Sequence, residues 1–127
     1  MKTLIIKLGA LGDVLRTTFV ARGLKEKYGT TCWITWLTKE NAESILKNNP
    51  FIDERVVWKQ REHLLKKEYD WIISLDDEEE VCAFATQLKT KTKRFQGAYT
   101  DKEEKRRYTK DIGQWFGMGI LRPEEEG

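Results

Sequence analysis

The chain has 127 residues, 39% hydrophobic and 35% charged, the length and balance of a single compact domain with no room for a second. Its 23 Lys and Arg against 21 Asp and Glu leave a formal charge of +2, too small to imply nucleic acid as a partner. No apolar run approaches the roughly 18–20 residues of a membrane span, and Lys7 interrupts the N-terminal run too early for a signal peptide, so the sequence reads as cytoplasmic.

Strand-like apolar runs alternate with helix-like stretches from the start. That is the pattern of an α/β protein with an open, Rossmann-like parallel sheet and helices on both faces. Leu4-Ile5-Ile6-Lys7-Leu8 reads as a first strand, aliphatic as a strand covered on both sides should be, and Gly9 ends it. Leu15, Phe19, Val20, Leu24 and Tyr28 then recur at helical spacing and predict one helix over residues 14–28, with Gly29 as its C-terminal cap. A second strand follows over 32–37. Next comes a short helix over 39–47, stopped by Asn48-Asn49-Pro50. Residues 52–58 predict a third strand, 60–67 a third helix and 71–75 a fourth strand. Residues 78–88 form a helix with its acids at the N-terminal end, matching the helix dipole. A fifth strand is expected over 93–96. From Gly97 the pattern weakens into a charged segment, and residues 108–120 read as a terminal helix carrying Trp115, Phe116 and Met118. The expected division is a core over about residues 1–96 and a basic segment with a terminal helix over 97–127.

Cys32 and Cys82 lie far apart with no CxxC, and His63 is the one histidine, so the pattern suggests neither a disulfide nor a zinc site, and both thiols are expected to be buried. His63 stands among Arg61, Glu62, Lys66 and Lys67 and reads as exposed; Trp33, Trp36 and Trp71 read as packing residues. Between positions 89 and 110 nine Lys or Arg face three acids, whereas positions 76–80 are five consecutive acids. Such an excess usually marks a solvated face, with anion binding the less common use.

The loop Gly9-Ala10-Leu11-Gly12-Asp13 joins the first strand to the first helix at the carboxyl edge of the sheet, where open α/β proteins bind ligands. Gly9 and Gly12 permit close approach of a ligand to the backbone, and N–H groups at the helix start favour an anion. The loop is not GxGxxG and lacks the ending of a P-loop, so it gives little support to NAD or ATP. On spacing alone Asp13 reads as a helix N-cap. Asp76 and Asp77 end the fourth strand, which in a 3-2-1-4-5 sheet lies beside the first. They could face the same crevice, although capping the next helix is the plainer reading.

The opening segment, KTLIIKLGALGDVLRTT over residues 2–18, resembles the start of glycosyltransferase family 9, the heptosyltransferase family. Further blocks are similar in the family's order: LKEKY at 24–28, ITWLTK at 34–39, LKNNP at 46–50 with Ile52-Asp53, and YDWIISLDDE at 69–78. The likeness spans about residues 1–100; WFGMG at 115–119 adds less. It implies the N-terminal half of a GT-B fold, the domain that receives the acceptor, with the nucleotide-sugar domain absent from this chain. It further implies an inverting, metal-independent transfer, without a cofactor, from ADP-heptose to the inner core of lipopolysaccharide. Asp13 is then the general base and Lys7 a residue near the acidic sugar of the acceptor, with Gly9, Gly12, Asp76 and Asp77 around it. The expected partners are the missing donor domain, ADP-heptose held through it, and an anionic glycolipid at the inner membrane face, where the basic segment would lie. The isolated chain is expected to be inactive, and an uncovered cleft face makes self-association plausible. The alternative reading is a stand-alone Rossmann-like module that binds an anion or nucleotide without chemistry.

Overall fold

The computed structural model describes residues 1–9, 11–76, 78–92, 94–101, 103 and 105–108. Its elements in chain order are β1 (Lys2–Ile6), α1 (Leu11–Thr17), α2 (Phe19–Tyr28), β2 (Trp33–Thr38), α3 (Glu43–Lys47), β3 (Glu54–Val57) and α4 (Glu62–Leu65). There follow β4 (Glu68–Tyr69), β5 (Trp71–Ser74), α5 (Glu79–Gln87), β6 (Lys89–Thr90), β7 (Phe95–Thr100) and β8 (Arg106–Tyr108). The main sheet has the order β3-β2-β1-β5-β7-β8, and its first five strands are parallel, in the 3-2-1-4-5 order expected from the sequence. β8 is antiparallel to β7, and β4 with β6 makes a separate two-stranded pair.

Side chains alternate across a strand, so β1 feeds two cores. Ile5 packs with Val14 of α1, Val20 and Leu24 of α2 and Leu46 of α3. Leu4 and Ile6 pack on the other face with Leu64 of α4 and Val81 and Phe84 of α5. This two-sided burial is why the strand is aliphatic throughout. Carboxylates tie down the amino ends of the strands: Asp70 accepts the Lys2 N–H at 2.7 Å, and Asp53 accepts the Ile34 N–H at 2.8 Å and the Lys25 ammonium at 2.7 Å. Cys32 and Cys82 are buried and unbridged, and His63 is exposed.

Several boundaries differ from expectation for physical reasons. The helix expected over 14–28 starts earlier, at Leu11, and divides at Thr18 into α1 and α2. There the Thr17 and Thr18 hydroxyls donate to the carbonyls of Val14 and Leu15 at 2.8 and 2.7 Å, competing with the helix's own bonds. The helices expected over 39–47 and 60–67 are each a 3-10 turn leading into a short α-helix, α3 and α4. The fifth strand continues through Gly97 to Thr100 and turns back as β8. Gly97 has φ +117°, and a Cβ built there would meet the Ser74 carbonyl oxygen at 1.8 Å, so the glycine permits the pairing that its type argued against. Tyr108 belongs to β8, not to a helix, and the rest of the expected terminal helix lies outside the described residues. Trp33 is 50% exposed rather than packed, because it opens β2 on the face opposite Ile34 and Trp36, above Glu54 and Lys67 at the sheet's rim.

Candidate functional site

From β1 the chain proceeds outward to β2 and β3 on one side and, later, to β5 and β7 on the other. The direction of winding therefore reverses between β1 and β5. The loops after these two strands diverge at such a switch point and leave a crevice at the carboxyl edge. Here the loops are Lys7 to the start of α1, and Leu75 to the start of α5. The Leu75 N–H donates to the Ile6 carbonyl at 2.9 Å and the Lys7 N–H to the Leu37 carbonyl at 3.2 Å, so β1 stays paired on both sides up to the loop.

Asp76 joins the two loops. Its Oδ2 accepts the N–H groups of Leu8 and Gly9 at 2.8 and 2.9 Å, its Oδ1 accepts the Glu78 N–H at 3.3 Å, and the residue is 2% exposed. A buried carboxylate is tolerable when backbone donors surround it, and bonds to an ionised acceptor are the stronger kind. Both oxygens are occupied by backbone, so the geometry makes Asp76 the residue that fixes the Gly9 loop against β5. Asp77 lies outside the described residues.

Lys7 follows β1 and is 6% exposed. Its carbonyl accepts the Trp36 indole N–H at 3.3 Å, and its ammonium donates to the Leu75 carbonyl at 3.4 Å. An ammonium has three donors. Among the described residues Lys7 therefore has capacity left for an oxygen-rich ligand at the loop. Gly9 is half-buried at the start of the loop and Gly12 is exposed in the first turn of α1, where an added Cβ would meet nothing within 4 Å beyond its chain neighbours and the helix's own backbone. Asp13 is the third residue of α1, inside its first turn rather than at the N-cap position that spacing suggested. Lys7, Gly9, Gly12 and Asp13 thus share one loop and helix start, with Asp76 beneath it.

Two residues that the sequence reading passed over belong to the same edge. Thr38 and Ser74 end β2 and β5, are fully buried, and have hydroxyls without a hydrogen-bond partner among the described residues. The available signal was a hydroxyl residue closing an otherwise apolar strand. Among the described residues no group of three His, Cys, Asp or Glu side chains is placed to share a metal ion, and no helix is long and apolar enough to cross a membrane.

The sequence matches no protein-family model. It is 43% identical over 54 residues to lipopolysaccharide heptosyltransferase 1 of Campylobacter coli, a match covering 42% of this chain and 16% of that protein. Among solved structures, a family 9 glycosyltransferase from Veillonella parvula aligns with a TM-score of 0.67 at 23% identity, covering 95% of this chain and 42% of the other. The E. coli heptosyltransferase WaaC with ADP aligns with a TM-score of 0.59 at 21% identity, covering 71% and 34%. At such identities the structures speak to fold, and the chain spans less than half of these relatives. The winding order and its reversal define a Rossmann-like α/β domain of the type found in GT-B glycosyltransferases. In sequence the chain is similar, over 54 residues, to a heptosyltransferase, and in fold to a family 9 glycosyltransferase.

Proposed function

We propose that residues 1–127 form the acceptor-side domain of an inverting, metal-independent glycosyltransferase that moves a heptose from ADP-heptose to the inner core of lipopolysaccharide. One observation carries the reading: the Gly9–Asp13 connection, with its open space at Gly12, sits at the switch point of the sheet and is pinned to the neighbouring strand by Asp76. In the proposed step a hydroxyl oxygen of the acceptor attacks the anomeric carbon of the donor. The bond from that carbon to the diphosphate oxygen breaks, ADP leaves, and Asp13 takes the hydroxyl proton. A single in-line displacement inverts the anomeric centre.

A sugar alcohol is a poor nucleophile until a base within hydrogen-bond reach accepts its proton, a contribution of about 10²–10⁴ in rate. Orienting that hydroxyl toward the anomeric carbon is the larger part of the role assigned to Asp13. Lys7 supplies charge for the acidic sugar, Gly9 and Gly12 keep the approach open, and Asp77 is assigned to acceptor binding. Asp76 acts by holding the loop. The donor is held by a second domain outside these residues. The basic segment faces an anionic membrane surface, although Arg107 is already paired with Asp101 at 2.9 Å and Arg94 lies over the Trp71 ring, so fewer of its charges are available than the count suggests.

Calorimetry of the 127-residue protein tests the assignment of sides. A soluble acceptor carrying Kdo, the acidic sugar of the inner core, is expected to bind saturably, and ADP and ADP-heptose weakly or not at all. Tight nucleotide binding without acceptor binding would overturn the reading in favour of a nucleotide-binding module.

A further inference from the structure

A groove of about 470 Å³ runs along α2 on the face of β5 and β7 opposite α5. Leu24, Trp71 and Ile73 give it an apolar floor, with Phe19 at the end nearer the carboxyl edge and Lys27 and Arg94 at the other. Its volume falls in the range of small-molecule sites, roughly 300–1,000 Å³. Gly23 borders it from the middle of α2. Glycine is, after proline, the residue least suited to a helix interior. Here a Cβ would meet nothing within 4 Å beyond its chain neighbours and the helix's own backbone, so the missing side chain leaves the groove open rather than making room for a neighbour.

The charge at the amino-edge end has one sign. The Arg94 guanidinium lies over the Trp71 ring, 3.4 Å from its centroid, and the Lys27 ammonium is 5.5 Å from the centroid of the Tyr28 ring. Among the described residues neither cation pairs with a carboxylate. The Tyr28 hydroxyl feels both: the Arg94 guanidinium beside it, and then Lys27, hold it below its ordinary 10.0 against the desolvation that would raise it. Trp71, 8% exposed, adds a buried indole N–H with no hydrogen-bond partner among the described residues. Two cations without a counter-charge at one end of an apolar groove complement a ligand with a doubly charged head and an apolar tail. A phosphate monoester carries about −1.5 to −2 at neutral pH and presents three acceptor oxygens, which a guanidinium can meet with parallel N–H bonds.

We propose that the groove between α2 and the β5–β7 face binds an alkyl phosphate monoester, its phosphate held by Lys27 and Arg94 and its chain lying past Gly23 and Leu24 toward Phe19. From Phe19 to Lys27 α2 extends about 12 Å at 1.5 Å per residue, which suits an alkyl chain of medium length. The groove shares no lining residue with the Gly9–Asp13 connection, so this binding stands apart from the acceptor role proposed for that loop.

Calorimetry of the whole chain with decyl phosphate, kept below the concentration at which it forms micelles, tests this. Saturable one-to-one binding is expected, with decanoate, uncharged decyl maltoside and inorganic phosphate each at least about tenfold weaker. Lys27→Gln with Arg94→Gln is expected to weaken decyl phosphate at least about tenfold, and Lys47→Gln on α3 to leave it unchanged. Gly23→Leu fills the groove from a position without close neighbours, so it is expected to abolish binding while the thermal transition stays where it was or rises. No saturable binding, equal affinity for decanoate or decyl maltoside, or undiminished binding by the folded Gly23→Leu protein would overturn the proposal. So would a dimer that Gly23→Leu disrupts and decyl phosphate leaves intact, which would assign the groove to another copy.

Discussion

Gly12 separates the needs of the fold from those of the site. It sits in the first turn of α1, and beyond its chain neighbours and its own helix backbone no atom lies within 4 Å of where its Cβ would be, so an added methyl group would meet no obstacle. Gly12→Ala is expected to leave stability unchanged or raise it by up to about 1 kcal/mol, since alanine loses less backbone entropy in a helix. The same substitution is expected to weaken binding of a Kdo-containing acceptor severalfold by calorimetry. Unchanged affinity would mean that the acceptor does not approach this turn. Tyr69 is the contrasting case. It is 1% exposed with a hydroxyl that has no hydrogen-bond partner among the described residues, and burial pushes that hydroxyl from its ordinary 10.0 up to about 12. A raised folded-state value stabilises the protein fully below the unfolded value, and the stabilisation is lost as pH rises from about 10 to about 12. Urea unfolding at about pH 9 and about pH 11.5 should show this fall. Tyr69→Phe should remove the part due to this residue and raise stability at neutral pH by up to about 1 kcal/mol, because no buried hydroxyl is then left unpaired.

At the level of elements, strand order was legible where apolar runs were long. β1, β2 and β5 each carry consecutive aliphatic or aromatic residues, and their parallel order follows from the helices between them. β7 was legible only in part, because Phe95-Gln96-Gly97-Ala98 contains a glycine whose use depends on a contact with Ser74 that no local pattern reveals. Gly97→Ala is expected to cost at least about 3 kcal/mol and to loosen β7 from β5, since both the φ of +117° and the 1.8 Å approach to a carbonyl oxygen oppose a side chain. Thermal unfolding with amide exchange checks this; a loss below about 1 kcal/mol would show that β7 can shift to accommodate the methyl group. The division of the first helix was hidden for a similar reason. Thr17 and Thr18 fit a helix by spacing, and only their hydroxyl bonds to the previous turn show where it breaks. At the site, Asp13 and the two glycines were visible as a loop between a strand and a helix. The clamp by Asp76 was not, because it depends on residues 68 positions apart meeting across neighbouring strands.

For the molecule as a whole, the winding reversal between β1 and β5 places the Gly9–Asp13 connection at the edge where such sheets bind ligands. The two loops that border the crevice are held by the same buried carboxylate, so the crevice is organised before any ligand arrives. The proposed division of labour has a plain consequence: the chain by itself, mixed with ADP-heptose and an acceptor, transfers no sugar, and turnover abolished by Asp13→Asn would show that no second domain is needed. The most direct measurement is a titration of the ¹⁵N-labelled protein with a soluble Kdo-containing acceptor, followed by amide chemical shifts. Saturable shifts concentrated at Lys7, Gly9, Gly12 and Asp13, with α2 silent, are the predicted result. Shifts confined to α2 or to the rim around Trp33, with the Gly9 loop unmoved, would contradict the account.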